Sequence, residues 1–249
     1  MGIQSIPEHE LARLREKAKE ITGSQFDYQS SYTELLSRRL NGEPLQYIEE
    51  YVPFYSIQIN VDQRCLIPRP ETEYMIEIIK NNIDMPKKIL DVGTGTGCIA
   101  LMMKKLFPDS EVHAVDISND ALSLAKENAE INNLEVNFYQ SDLLSNVETL
   151  DFDLIVANLP YIPTSTLSTL NKEVIDHEPL IALDGGEDGR LYIDKLQNDL
   201  KNIDSKELVL VLEVDTSHAE SLLSSFTDWE DVKLEKDLVE RDRYIVAKK

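Results

Sequence analysis

The spacing of apolar positions changes along the chain and predicts its elements. After Lys87, short apolar runs alternate with segments in which apolar residues recur every three or four positions. Such alternation is typical of parallel strands joined by helices. The pattern predicts strands at 88–92, 111–115, 136–139, 152–157 and 207–214, and helices at 98–106, 120–132, 189–202 and 217–226. We therefore expect an α/β fold with an open, mostly parallel sheet.

Two further strands are predicted at the end of the chain. Apolar residues alternate over 232–235 and 244–247, and a charged turn at 236–243 separates the two runs. Strands joined by so short a segment pair antiparallel. The sheet is therefore expected to have seven strands, with this hairpin at its edge.

The first 80 residues show different patterns. Residues 8–40 carry apolar positions at helical spacing on both sides of a polar break, which predicts a small helical head over 1–45. Alternation over 51–61 predicts a pair of strands, and a helix is expected over 71–81. We assign 46–80 to a β-hairpin and linker and 81–249 to the main α/β domain.

Composition restricts the classes of function. The 249 residues carry 25 Lys and Arg against 46 Asp and Glu, a formal net charge of −21. Tight binding to a nucleic-acid backbone depends on clustered cations, so it is not expected. No apolar run is long enough to span a membrane, residues 1–10 carry no targeting pattern, and two cysteines fit a reducing compartment. We expect a cytoplasmic protein that binds no membrane, and no cluster has the spacing of a metal site.

A glycine-rich loop follows the first predicted strand of the main domain. Ligands of α/β sheets bind beyond the carboxyl ends of the strands, where the next helix offers free N–H groups. The pattern is Gly-x-Gly-x-Gly after Asp91, and it differs from the Gly-x-Gly-x-x-Gly of dinucleotide sites. The residues expected to bind a cofactor here are Gly93, Thr94, Gly95, Thr96 and Gly97.

Acidic residues end the next two predicted strands. Asp116 lies nineteen residues after Gly97, the position from which a carboxylate accepts the hydroxyls of a ribose. Asp142 follows the third strand and could accept from an adenine amine, while Leu143 packs on the ring. Each residue alone could be a helix cap or a solvated strand end. Together they predict an adenosine-containing ligand, S-adenosylmethionine or a relative of it.

The fourth strand ends in Asn158, Leu159, Pro160 and Tyr161. An Asn side-chain oxygen and a backbone carbonyl can accept the two hydrogens of a planar amide, and an aromatic ring can hold its plane. We expect these four residues to bind an NH₂ group, with Asn158, Pro160 and Tyr161 as catalytic residues and Asn158 also near the cofactor. The structural alternative is an ordinary turn at a strand end.

At these residues the chain resembles the class I S-adenosylmethionine-dependent methyltransferases, and among them the HemK/PrmC family of peptide chain release factor N(5)-glutamine methyltransferases. The resemblance extends over 42–249 and includes the strings at 42–47, 66–73, 178–189 and 236–243. It implies a Rossmann-like fold. It also implies S-adenosylmethionine as cofactor and methylation of the glutamine in the Gly-Gly-Gln loop of release factors, free or ribosome-bound. The helical head would contact the release factor.

One position departs from the family pattern. Leu159 stands where the family usually has proline, although Pro160 still favours an extended backbone at Leu159. Asn-Leu-Pro-Tyr also occurs in RNA adenine dimethyltransferases, so an RNA adenine remains an alternative substrate. A non-catalytic scaffold that binds S-adenosylmethionine is a second alternative. For Arg69, between two prolines, we expect a structural salt bridge, and the alternative is a role in holding the substrate backbone or Glu71.

Overall fold

The computed structural model describes residues 6–22, 27–148, 151–201, 203 and 207–249. The described residues form a two-stranded hairpin and a sheet of seven strands in the order β5-β4-β3-β6-β7-β9-β8. The hairpin is β1 (Tyr51–Phe54) and β2 (Ile57–Asn60). The sheet strands are β3 (Lys88–Val92), β4 (Glu111–Asp116), β5 (Asn137–Gln140), β6 (Leu154–Asn158), β7 (Val209–Glu213), β8 (Asp231–Lys236) and β9 (Asp242–Lys248). Strands β3 to β7 pair in parallel, and β9 pairs antiparallel with both β7 and β8. The predicted fold class is confirmed.

Helices precede the sheet and connect its strands. They are α1 (Glu8–Thr22), α2 (Tyr28–Leu40), α3 (Leu45–Glu49), α4 (Pro70–Lys80), α5 (Cys98–Leu106), α6 (Asn119–Asn132), α7 (Lys172–His177), α8 (Leu191–Leu200) and α9 (Ala219–Leu223). Helix α6 begins at an N-cap, because the Ser118 hydroxyl accepts from the backbone N–H of Ala121. In α4, Pro70 takes the first position, where its missing N–H costs nothing.

Both faces of the sheet are buried. Ile89 and Leu90 are adjacent in β3 and fully buried, yet they belong to different apolar clusters, because successive strand residues point to opposite faces. The cluster on one face also contains residues of the hairpin β1–β2 and of α4 and α5. The hairpin therefore packs onto the sheet through a shared core. Asn128 of α6 adds two hydrogen bonds to the backbone of Asn60.

The helical head has its own small core. Leu14, Ala18, Leu35, Leu45 and Ile48 bury their side chains against one another. These residues come from α1, α2 and α3, and the last of these helices ends at Glu49, beyond the predicted span of 1–45. Residues 1–5 and 23–26 of that span lie outside the described residues. The head is thus held together by an apolar contact between three helices.

Several boundaries and elements differ from the sequence predictions. The predicted helix over 217–226 is shorter in the structure, where α9 covers Ala219–Leu223. The predicted helix over 189–202 begins later, at Leu191, because Gly189 has φ +79 and precedes the helix; its predicted end at Asn202 lies outside the described residues. Helix α3 and the turns and short helix between Thr164 and Ala182 were not predicted. Each is six residues or fewer, too short to show a helical period.

No helix among the described residues combines the length and apolar character needed to cross a bilayer.

Candidate active site

The strand order brings the predicted loops to one place. Strand β3 pairs with β4 on one side and with β6 on the other, so the chain reverses direction across the sheet at β3. Ligands of such sheets bind at this reversal, beyond the carboxyl ends of the strands. A cavity that opens to solvent lies there. Its walls come from the loops after β3, β4, β5 and β6 and from segments 64–72 and 179–182.

The glycine loop forms one wall of this cavity. The N–H groups of Gly93 and Thr94 both donate to the carbonyl of Val115, at 2.9 Å, which fixes the loop against β4. Gly95 has φ +54, and a Cβ placed on it would find no atom within 4 Å. The loop therefore leaves an open cradle of the kind that a cofactor backbone or side chain fills.

Asp91 supports the loop from beneath. It is fully buried, and its Oδ2 accepts from the Thr94 hydroxyl at 2.6 Å and from the N–H of Ala100 at 3.1 Å. Its Oδ1 has no hydrogen-bond partner among the described residues. Burial raises the pKa of Asp91 to about 7, because a charged carboxylate is poorly solvated there. Asp91 does not line the cavity, so its role is to hold the loop in place.

Asp116 lines the cavity as the sequence predicts. Its two carboxylate oxygens accept from the backbone N–H groups of Gly95 and Ser118, each at 2.9 Å. A carboxylate has about four lone-pair positions, so acceptor capacity remains for the two hydroxyls of a ribose. Burial raises its pKa, and hydrogen bonds from the backbone N–H groups of Ser118, Gly95 and Ile117 act in the opposite direction. The residue fits the expected role at the cofactor.

Asp142 and Leu143 also line the cavity, but Asp142 already has a partner. The ammonium group of Lys195, from α8, lies 2.5 Å from Asp142 Oδ2. Both side chains are more than two-fifths exposed, so the pair lies at the rim of the cavity. An adenine amine would therefore share Asp142 with Lys195. Leu143 is buried and has φ +50, which turns the chain sharply below the ligand space.

The segment after β6 faces the glycine loop. A Cβ on Gly93 would lie 3.0 Å from a methyl group of Leu159 and 4.0 Å from the carbonyl oxygen of Asn158. The Asn158 side chain donates from Nδ2 to the hydroxyl of Thr72 at 2.9 Å. Its Oδ1 accepts no hydrogen bond from the described part of the chain and is not shielded from solvent. An amide acceptor is therefore free at the cavity wall.

The cavity brings together ten of the twelve predicted site residues. Those that line it are Gly93, Thr94, Gly95, Thr96, Asp116, Asp142, Leu143, Asn158, Leu159 and Pro160. Gly97 instead caps α5, where a Cβ would lie 3.1 Å from that of Ala125. Tyr161 lies behind the wall, and its hydroxyl donates to Glu213 at 3.3 Å. Two of the predicted residues therefore shape the site without lining it.

Sequence reasoning missed two residues of the site. Thr72 lines the cavity and is 4% exposed, and Glu213, at the end of β7, is 1% exposed. The Thr72 hydroxyl donates to Glu213 Oε2 at 2.8 Å. Glu213 could have been predicted from its position, because it is an acidic residue at the end of a buried strand. Asp116 ends β4 in the same way, and Asp91 is the residue before the end of β3. Nothing in the spacing of Thr72 indicates that it contacts Asn158.

Arg69 also lines the cavity, and its predicted salt bridge is confirmed. Its guanidinium lies 2.6 Å from Glu178 Oε1, and the other oxygen of Glu178 accepts from the N–H of Ile67 at 3.1 Å. Glu178 is almost fully buried. The pair fastens the segment before α4 to the long loop that follows β6, and so fixes the width of the cavity.

Among the described residues, no group of three or more His, Cys, Asp or Glu side chains could hold a metal ion.

The fold and this site define a class I methyltransferase with a Rossmann-like sheet. A family model described as "Methyltransferase small domain" matches residues 70–187. A methyltransferase from Pyrococcus furiosus superposes with a TM-score of 0.61 at 19% identity, over 87% of this chain and 98% of that one. A Pyrococcus abyssi tRNA (uracil-54, C5)-methyltransferase, solved with S-adenosyl-L-homocysteine, gives 0.52 at 15% identity over 80% and 43% of the two chains.

Sequence similarity narrows the class to a family. The chain is 38% identical to the release factor glutamine methyltransferase of Koribacter versatilis (strain Ellin345), over 90% of this chain and 81% of that one. It is 34% identical to that of Bacillus cereus, over 95% and 85%. The chain belongs to the family of release factor glutamine methyltransferases, as its sequence motifs predicted. S-adenosylmethionine is therefore its cofactor, and the open cradle at Gly95 and the spare acceptors of Asp116 fit that group.

Proposed function

We propose that this protein methylates the side-chain amide nitrogen of the glutamine in the Gly-Gly-Gln loop of peptide chain release factors. The observation that carries the proposal is the free Oδ1 of Asn158 at the cavity wall, next to the glycine loop. S-adenosylmethionine supplies a methyl group on a positively charged sulfur when it is bound. The residues of the chain then have to hold a flat, weakly nucleophilic amide in line with that methyl group.

The residues after β6 supply the contacts that such an amide needs. Asn158 Oδ1 and the backbone carbonyl of Leu159 are two acceptors for the two amide hydrogens. With both hydrogens held, the lone pair of the nitrogen is directed away from the acceptors. These hydrogen bonds also strengthen as the nitrogen becomes positively charged, so they favour the transition state over the bound substrate. Leu159 in place of the family's usual proline leaves the carbonyl in place.

The head lies next to the long loop that follows β6, which supports its role in binding the release factor. Arg39 of α2 forms salt bridges with Glu10 of α1 at 2.6 Å and with Glu173 of α7 at 3.1 Å. Leu180 and Ile181, in the same loop, are each 53% exposed, and Ile181 lines the cavity. We propose that the head and this loop together receive the protein substrate. Because release factors act in translation termination, we expect the enzyme to work in the cytoplasm.

A methyl-transfer assay tests the proposal. Purified protein is incubated with tritiated S-adenosylmethionine and a release factor that carries Gly-Gly-Gln, and mass spectrometry then locates the added methyl group. The expected product has one methyl group on that glutamine. Label in RNA would instead indicate an adenine methyltransferase, and no label in either would indicate a binding scaffold.

The variant Asn158→Ala tests the amide contacts. We expect its turnover to fall by about 10²- to 10³-fold, since it loses one acceptor made for the transition state. Binding of S-adenosylhomocysteine, measured by calorimetry, should change little. Asn198→Ala, at an exposed position of α8, is the matched control. Turnover of Asn158→Ala equal to that of the control would contradict the role of Asn158.

A further inference from the structure

A chain of three hydrogen-bonded side chains leads from the cavity into the core. Asn158 Nδ2 donates to Thr72 Oγ1 at 2.9 Å, and Thr72 Oγ1 donates to Glu213 Oε2 at 2.8 Å. We propose that Thr72 and Glu213 are positioning residues that decide which atom of the Asn158 amide faces the substrate. The inference rests on the proposed function, because that orientation matters only if the substrate group is an NH₂.

Counting hydrogens shows why the order of donors is fixed. A threonine hydroxyl has one hydrogen, and an ionised carboxylate can only accept. When Glu213 is ionised, the hydrogen of Thr72 is therefore committed to Glu213. Thr72 Oγ1 then has only lone pairs left for Asn158, so the Asn158 amide must turn its Nδ2 toward Thr72. Its Oδ1 consequently points away from Thr72 and is available to accept from the substrate.

The opposite orientation would place an NH₂ group where the substrate also presents one. Two donors facing each other form no hydrogen bond, and each would lose its solvation once the substrate fills the cavity. The two orientations of the Asn158 amide have nearly the same shape. The contact with Thr72 selects the orientation that can bind the substrate. Tyr161 acts on the same carboxylate from the other side, because its hydroxyl donates to Glu213 Oε1 at 3.3 Å.

Glu213 is surrounded by groups that determine its charge. Those that act on it electrostatically are Glu71 of α4, Arg243 and Tyr244 of β9, Tyr161, and Cys98 of α5. Arg243 favours the ionised form, but Asp237 also shares its guanidinium, at 3.4 Å. Burial is the largest effect and raises the pKa of Glu213 to about 7. Both charge states are therefore populated near neutral pH.

Protonation of Glu213 would release the constraint. A neutral carboxyl group carries a hydrogen, so either Thr72 or Tyr161 must accept from it. When Thr72 accepts, its own hydrogen can turn toward Asn158, and the amide can flip. Turnover should therefore rise with pH through about 7 as the carboxyl group ionises.

Two variants of Thr72 test the hydrogen-bond chain. Thr72→Val keeps the shape of the side chain and removes the hydroxyl, whereas Thr72→Ser keeps the hydroxyl. With tritiated S-adenosylmethionine and a Gly-Gly-Gln release factor, we expect kcat of Thr72→Val to fall by about 10- to 100-fold, and Thr72→Ser to recover most of that loss. Thr33→Val, which removes a hydroxyl from exposed α2, is the control. Calorimetry with S-adenosylhomocysteine shows whether each variant retains the folded cofactor site.

The pH profile tests Glu213 separately. The glutamine of Glu213→Gln cannot ionise, so kcat of this variant should not rise with pH through about 7 and should be lower than that of the wild type above pH 7. Glu235→Gln is the control and should keep the wild-type pH profile. The positioning role alone would be overturned if the wild type methylates the glutamine and Thr72→Val is unimpaired. The same conclusion would follow if Glu213→Gln keeps the rise of kcat with pH. Wild-type protein that leaves the release-factor glutamine unlabelled would contradict the proposed function itself.

Discussion

Replacing Glu213 by glutamine should change how the stability of the protein depends on pH. Burial raises the pKa of Glu213 from 4.5 to about 7 in the folded protein. Between these values the folded chain keeps the proton and the unfolded chain has lost it. The free energy of unfolding therefore falls as the pH rises through this window. A shift of this size corresponds to about 3 kcal/mol of stability, fully present below pH 4.5 and lost above pH 7.

Glutamine resembles the neutral carboxyl group in shape and cannot ionise. Urea unfolding at pH 5 and at pH 8 gives the free energy of unfolding of both proteins. Relative to the wild type, Glu213→Gln should gain about 2 to 3 kcal/mol on going from pH 5 to pH 8, since part of the window lies below pH 5. Asp91 titrates in the same window in both proteins, so its contribution cancels in the difference. Glu235→Gln, on β8, is the control for loss of an acidic residue. A difference between Glu213→Gln and the wild type that stays the same at both pH values would refute the reasoning.

Three further predictions concern the cavity. Asp116→Ala should weaken S-adenosylhomocysteine binding by at least about 10-fold in calorimetry, since a hydrogen bond to a charged group contributes roughly 1.5–3 kcal/mol. Unaltered affinity would exclude Asp116 from the cofactor site. Gly95→Ala should weaken cofactor binding and cost about 1–2 kcal/mol of stability, because its Cβ enters open space at a positive φ. Gly97→Ala should lower stability more in thermal unfolding, because its Cβ presses on a neighbouring helix. Equal losses of stability in the two variants would contradict this difference. Arg69→Met should lower the free energy of unfolding by about 3 kcal/mol, because it leaves the Glu178 carboxylate buried without its cation. A loss below about 1 kcal/mol would show that the salt bridge contributes little to stability.

Local patterns were sufficient to predict the sheet and most of the cavity wall. Each predicted sheet strand lies within two residues of the observed one, because buried parallel strands are short apolar runs whatever their neighbours. The glycine loop, Asp116 and Asn158 were also found, since each directly follows or ends such a strand. A residue at the tip of a parallel strand is placed at the same edge of the sheet as the others.

The structure of the loop between β6 and α8 could not be predicted from local sequence patterns. Its short helix and turns carry no sustained period, and its position depends on contacts with distant segments. Glu178 is fixed by Arg69, and Gly185 packs against the backbone of Tyr161, where a Cβ would lie 2.7 Å from its Cα. These contacts join residues far apart in the chain, so no local window contains the information.

The sequence by itself determined the class of fold, the edge of the sheet at which a ligand binds, and the residue types present there. Only the tertiary structure decided that Lys195 contacts Asp142, that Tyr161 lies behind the cavity wall, and that Thr72 joins Asn158 to Glu213 by hydrogen bonds. The physical reason is the range of the interactions. Apolar periodicity is a property of neighbouring residues, whereas the direction of a hydrogen bond in the core depends on which side chains the folded chain brings within 3 Å of each other.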